Sequence, residues 1–139
     1  WYDVSSFMTT EFQPAKVGVI IEFGNIYYDS GSWTVRPDGY PGLNKMAQFL
    51  LDNPKIVVEL GAHTDTLGDA ESNMVLSHKR AKSAREYLIT KGIPISQISF
   101  RGYGKSRIKN HCVDGGECSP REHQENRRTE LKVKEILPD

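Results

Sequence analysis

The sequence predicts an α/β (α+β) domain whose elements run in the order β-α-β-α-β-loop-β. Three observations point there. The chain has 139 residues, enough for one domain with one moderate core. β-Branched runs alternate with segments of helical period. Strands that alternate with helices imply right-handed crossovers, and hence parallel pairs within the sheet.

Residues 1–16 contain Pro14 and follow no clear period, so they read as a linker or N-terminal arm before a domain over 17–139. Residues 17–23 are rich in Val and Ile and predict the first strand. Residues 24–42 are rich in Gly, Ser, Asp and Pro and predict a long loop, with Pro41 fitted to the first turn of a helix. Apolar residues at 43, 46, 47, 50 and 51 give the stripe of an amphipathic helix that stops before Asn53-Pro54. Residues 55–60 form a short strand, and three consecutive β-branched residues place it centrally. A polar turn over 61–69 leads into a second helix over 70–91, with Asp69 as its cap and Gly92 at its exit. Residues 95–103 contain a third strand. Residues 104–124 read as a long polar loop. Residues 128–136 alternate as a half-exposed strand, placed at a sheet edge and defended by charge.

Bulk properties narrow the function. Lys plus Arg equals Asp plus Glu at 18 each, so there is no general attraction to nucleic acid or anionic lipid. No apolar run approaches the ~20 residues that span a bilayer. The chain opens at Trp1 rather than Met, which reads as a cut-out domain or a processed product. Two cysteines, Cys112 and Cys118, flank a stretch containing Gly115-Gly116 that can turn tightly. A disulfide is the expectation, with two free thiols as the alternative, and a disulfide implies a compartment outside the cytosol. His111 and His123 lie nearby, but the spacing fits no common zinc pattern, so no metal and no cofactor is expected.

The chemistry concentrates in His63-Thr64-Asp65-Thr66-Leu67-Gly68, between the second strand and the second helix. Ligands of α/β sheets bind outside the carboxyl ends of strands, where Asp65 falls. Asn73, Ser77 and Arg80 are four and three apart, so they share one helix face near that turn. Lys79 and Lys82 serve the exposed face and Ala81, Ala84 and Leu88 the buried one, which leaves Arg80 between them.

These residues carry a resemblance. His63-Thr64-Asp65, Gly68, Asn73, Leu76-Ser77, Arg80-Ala81, Tyr87-Leu88 and Gly92-Ile93 resemble the signature of the OmpA-like C-terminal domain family. Asn25 to Asp29, Gly102-Tyr103-Gly104 and Asn126-Arg127-Arg128 add to it, so the matches cover about residues 19–136 in order. The family includes the peptidoglycan-associated lipoprotein and the flagellar stator protein MotB. The resemblance implies a mixed sheet carrying two long helices, and non-covalent binding of peptidoglycan through the diaminopimelate of its stem peptide. That side chain ends in an ammonium and a carboxylate. By resemblance, Asp65 would face the ammonium and Arg80 would hold the carboxylate with parallel hydrogen bonds. Asn73 would orient Arg80 and contact the ligand. Asp29 matches a groove-lining segment whose backbone groups face the peptide. Arg127 would contact a stem carboxylate or form a structural ion pair. Thr64 is read as a turn stabiliser beside the ligand, and His63 as a hydrogen-bonding loop residue.

The resemblance also implies the periplasm, in association with the outer membrane, and envelope protein partners engaged through sequence upstream. A protein-interaction subunit of a secretion or motility machine is the alternative. A peptidoglycan-cleaving enzyme is least favoured. No Gly-x-Ser-x-Gly elbow and no His pair at metal-ligand spacing is present, and paired cysteines offer no thiol nucleophile. A carboxylate pair such as Asp65 and Asp69 could be proposed for glycan cleavage, but nothing else supports it.

Overall fold

A computed structural model of the chain describes residues 16–23, 26, 28, 29, 31–112 and 117–138. The arm expected over 1–16 lies outside these residues except for Lys16, as do Asn25 and the Gly115-Gly116 turn. The apolar stripe becomes α1 (Tyr40–Asp52), with Pro41 in its first turn, where a missing N–H is harmless. Leu43, Met46, Ala47, Phe49 and Leu50 are buried, while Leu51 stays exposed. The Asn53 amide donates to the Phe49 carbonyl at 2.8 Å and ends the helix ahead of Pro54.

The sheet has the order β1-β4-β2-β3. The strands are β1 (Ile20–Ile21), β2 (Ile56–His63), β3 (Ile98–Gly104) and β4 (Thr129–Ile136). β2 runs parallel to β3 and antiparallel to β4. Mixed pairing follows from the chain order: the β2-to-β3 connection carries α2 (Ala70–Thr90), and a crossover helix returns the chain parallel. Val58, Leu60 and Ala62 alternate onto one face. They pair there with Ile98, Phe100 and Gly102 of β3, and with Val133, Leu131 and Thr129 of β4. α1 contributes Leu43, Met46 and Leu50, and α2 contributes Ala81, Ala84 and Leu88, to the same core.

α2 docks backbone to backbone. A Cβ built on Gly102 would stand 2.2 Å from the His78 nitrogen and 2.5 Å from its Cα. Two residues on, Gly104 has φ +57°, and its Cβ would come within 3.2 Å of the Met74 backbone. The Gly104 N–H donates to Ser77 Oγ at 2.8 Å, and that hydroxyl donates to the Met74 carbonyl. The second half of β3 therefore acts as a bare ledge that fixes the first half of α2 beside the carboxyl end of β2.

The opposite face of the sheet is polar and covered. Gly61 leaves room for the Tyr103 ring, which an added Cβ would meet at 2.9 Å. Tyr103 stacks on His63 with centroids 5.0 Å apart and donates its hydroxyl to Glu59. His63 in turn reaches Glu130 at 3.1 Å.

Four expectations change. The first strand is two paired residues rather than seven, extended only by hydrogen bonds between Gly18, Val19 and Val133. β2 continues through Gly61, Ala62 and His63, because Tyr103 and Glu130 cover residues that would otherwise need solvent. The polar loop contains a helix, α3 (Pro120–Asn126), closed by a capping box between Ser119 and Glu122. β4 lies between β1 and β2 rather than at an edge, and Glu130 on its polar face is buried. Cys112 and Cys118 form a disulfide, as expected. Among the described residues, no helix is long and apolar enough to cross a membrane.

Gly102→Ala should lower the unfolding free energy by roughly 3 kcal/mol or more, since the clash is with helix backbone that cannot rotate away. Urea denaturation checks this: a midpoint within error of wild type would show that α2 does not depend on the ledge.

Candidate functional site

A cleft of about 440 Å³ opens at the carboxyl end of β2. Its walls come from the turn after β2, from the first half of α2, from the segment around Tyr28 and Gly31, and from the end of α3.

The turn is rigid because its polar groups bind one another. The Thr64 N–H donates to the Gly104 carbonyl at 2.8 Å. The Leu67 N–H donates to Asp65 Oδ1 at 2.9 Å, an Asx turn that pins the carboxylate. The Asn73 amide donates to the Leu67 carbonyl at 2.7 Å. Gly68 sits at φ +83°, where a side chain would be strained. Asp69 caps α2 by accepting from the Ser72 N–H at 2.9 Å.

Arg80 reaches the cleft from α2 and is only 8% exposed. Its Nε donates to the Ser32 carbonyl at 2.8 Å and its Nη2 to the Asp29 carbonyl at 3.2 Å. The guanidinium lies 4.8 Å from the Tyr28 ring centre, and the Tyr28 hydroxyl donates back to the Arg80 carbonyl. Burial pushes that hydroxyl up to about 12, against the opposing pull of Thr129 and of the Arg80 charge. Burial also lowers the Arg80 pKa; the Arg127 charge adds to this effect, and Tyr28 and Asp65 oppose it. Among the described residues no carboxylate pairs with Arg80.

Asp65 is neutralised differently. Its Oδ2 pairs with Arg127 Nη1, and Arg127 Nη2 donates to Gln124 at 2.9 Å. Arg128, also on the wall, is satisfied by Glu130 at 2.7 Å and by the Arg107 and Asn126 carbonyls. Asp65 thus serves Arg127 alone, and among the described cleft residues one surplus positive charge is left on Arg80.

The structure thus brings Asp65, Asn73, Arg80, Arg127 and Thr64 to one cleft. Their roles differ in detail from the sequence reading. The Asn73 amide braces the turn instead of Arg80. The Thr64 hydroxyl donates to the Asp65 carbonyl, as a turn stabiliser would. The Asp29 carboxylate turns outward toward Arg36 at 3.4 Å, so only its carbonyl serves the site. Arg127 forms an ion pair. Sequence reasoning missed Tyr28 and Ser32 as the seat of Arg80, and Gln124 as the seat of Arg127. The second was open to detection, because Ser119-Pro120-Arg121-Glu122 is a capping-box pattern that predicts α3. His111, Cys118 and Glu122 lie together on the α3 surface, but Cys118 is bound to Cys112 and offers no thiolate.

A mixed sheet, two helices docked on its apolar face and a cationic cleft at the end of its central strand define an OmpA-like architecture. The chain belongs to the OmpA family, whose model matches residues 27–119. It is 33% identical over 132 residues to the photosystem I P700 chlorophyll a apoprotein A2 of Gloeobacter violaceus, covering 91% of this chain and 15% of that protein. It is 32% identical over 89 residues to the peptidoglycan-associated lipoprotein of Rhizobium meliloti, covering 64% of this chain and 51% of that one. The crystal structure of the peptidoglycan-associated lipoprotein from Burkholderia pseudomallei superposes with a TM-score of 0.67 at 27% identity, over 78% of this chain and 88% of that one. The chain spans about half the length of the lipoprotein and a much smaller share of the other sequence relative.

The wall also sets a pH limit. Burial works to raise the Glu130 carboxyl, but hydrogen bonds from His63 and Arg128, with their charges, outweigh it and hold the group at about 2. A depressed carboxyl contributes stability above its ordinary pKa of ~4.3 and loses it as pH falls toward the folded value. Unfolding free energy should therefore drop by roughly 2–3 kcal/mol more in wild type than in Glu130→Gln between pH 5 and ~2. Parallel stability curves for the two proteins across this window would contradict the assignment.

Proposed function

We propose that this domain binds peptidoglycan non-covalently, through the zwitterionic end of diaminopimelate in the stem peptide, and so anchors an envelope complex to the cell wall. The observation that carries the reading is the buried Arg80 guanidinium, which is seated on two carbonyls and an aromatic ring and has no carboxylate partner among the described residues. A buried cation without a counter-ion favours an incoming anion, and a guanidinium fork suits a carboxylate. Asp65 stands in the same cleft with one oxygen pinned by Leu67 and the other on a half-exposed Arg127, which a ligand ammonium can displace or share. A cation subsite and an anion subsite side by side match an amino acid end group better than a sugar.

The relatives named as peptidoglycan-associated lipoproteins support the reading. A disulfide suits an oxidising compartment, and the proposed location is the periplasm beside the outer membrane. The domain acts by binding rather than by cleavage. The side chains that meet in the cleft are held in fixed ion pairs and turns, and none is a nucleophile with a partnered base.

Incubation with purified sacculi tests this. The protein should sediment with the sacculi and release no soluble muropeptides. Asp65→Ala and Arg80→Ala should each lose roughly 2–5 kcal/mol of binding free energy while circular dichroism stays unchanged. Release of fragments would point to an enzyme, and full binding by both folded variants would remove the assigned roles.

A further inference from the structure

The Cys112–Cys118 disulfide contributes no side chain to the cleft, yet hydrogen bonds connect it to one. The link is α3. At seven residues, this helix is far shorter than the ~12–15 at which an isolated helix becomes marginally stable in water. It has to be held from outside, and it is held at both ends.

At its start, Cys118 directly precedes the capping residue Ser119 and is covalently tied to Cys112. At its end, Asn126 is fully buried and gripped by the preceding loop. The Lys109 N–H donates to Asn126 Oδ1 at 2.7 Å, and Asn126 Nδ2 donates to Asn110 Oδ1 at 3.0 Å. That same Asn110 oxygen accepts from the Cys112 N–H at 3.1 Å. The Asn110 amide donates to the Glu122 carbonyl at 2.9 Å. Asn110 thus couples the disulfide to the helix along its length. The residue after Asn126 is Arg127, the partner of Asp65, whose second nitrogen is held by Gln124 of the same helix.

We infer that the disulfide is a positioning element of the ligand cleft: it holds α3 where Arg127 meets Asp65, and so sets the charge that Asp65 presents to a ligand. Reduction by a phosphine breaks the S–S bond and gives two thiols, the phosphine taking up oxygen from water as its oxide. The covalent tie at the start of α3 is then lost, and the hydrogen bonds of Asn110, His111 and Asn126 are left to hold the helix. If the cross-link served only global stability, reduction would lower the melting temperature and leave Arg127 in place.

The guanidinium NMR spectrum of the ligand-free protein tests this without any ligand. It is recorded before and after tris(carboxyethyl)phosphine, and in Cys112→Ser/Cys118→Ser. The oxidised protein should show separate Nη signals for Arg127, which collapse to one averaged signal on reduction, while those of Arg80 persist. Unchanged Arg127 signals, or loss of both arginines together through unfolding, would overturn the inference. A second arm rests on the peptidoglycan reading. Reduction should change sacculus binding on the order of tenfold in wild type and have no further effect in Arg127→Ala. An equal effect in both backgrounds would overturn the inference. Failure of the oxidised wild type to bind would instead sink the peptidoglycan reading, and the NMR result would decide the disulfide's role alone.

Discussion

The close approach of α2 to β3 at Gly102 is the constraint on which the cleft depends. A helix packed on a sheet is normally held off it by side chains from both elements. Here a missing Cβ removes one layer, and the backbone of Ser77 and His78 rests on the strand. Lowering the helix has two consequences. It brings Ser77 within reach of the Gly104 N–H, which ties the turn end of β3 to the helix. It also brings Arg80, one helical turn on, within reach of Tyr28 and the carbonyls of Asp29 and Ser32. With the helix one layer higher, Arg80 would extend into solvent as an ordinary surface arginine.

The electrostatics follow from that placement. Arg80 enters a protein interior with carbonyl dipoles as its polar partners, an arrangement that is tolerable but not neutral. Arg127 answers Asp65, the one carboxylate among the described residues that line the cleft, so the surplus charge stays on Arg80. Selectivity then divides between two supports of different kinds. The Arg80 side is built on α2 and the sheet, the most deeply packed part of the molecule. The Asp65–Arg127 side is built on a short helix at the end of a long loop, held by a cross-link and two asparagines. On the proposed reading, Asp65 and Arg80 are both held in place, and Arg127 is the adjustable member of the cleft.

Much of this was legible in the sequence where local pattern decides structure. The stripe of α1, the cap at Asp69 and the exit at Gly92 are local, and they appear where the pattern puts them. Asp65 and Arg80 were legible as a site because a strand end, a turn and a helix face fix their relation within sixteen residues. What was hidden depends on distant chain. Asp65 and Arg127 are 62 positions apart, and no local pattern pairs them. Gly102 falls within the expected third strand, and no local pattern marks it as the place where a helix is laid on the sheet. α3 has no apolar stripe, so periodicity passes it over, and only its cap announces it. β4 looked like an edge strand because its alternate residues are charged, but Glu130 is buried by pairing with His63 and Arg128 rather than by solvent.

The central claim is that the unneutralised Arg80 selects a ligand carboxylate next to an ammonium. Isothermal titration with two soluble stem peptides tests it most directly, one carrying meso-diaminopimelate and the other lysine at the same position. The lysine peptide keeps the ammonium and lacks only the distal carboxylate. The account predicts binding of the diaminopimelate peptide and a loss of roughly 2 kcal/mol or more, about thirtyfold, for the lysine peptide. Equal affinity for the two peptides would contradict it.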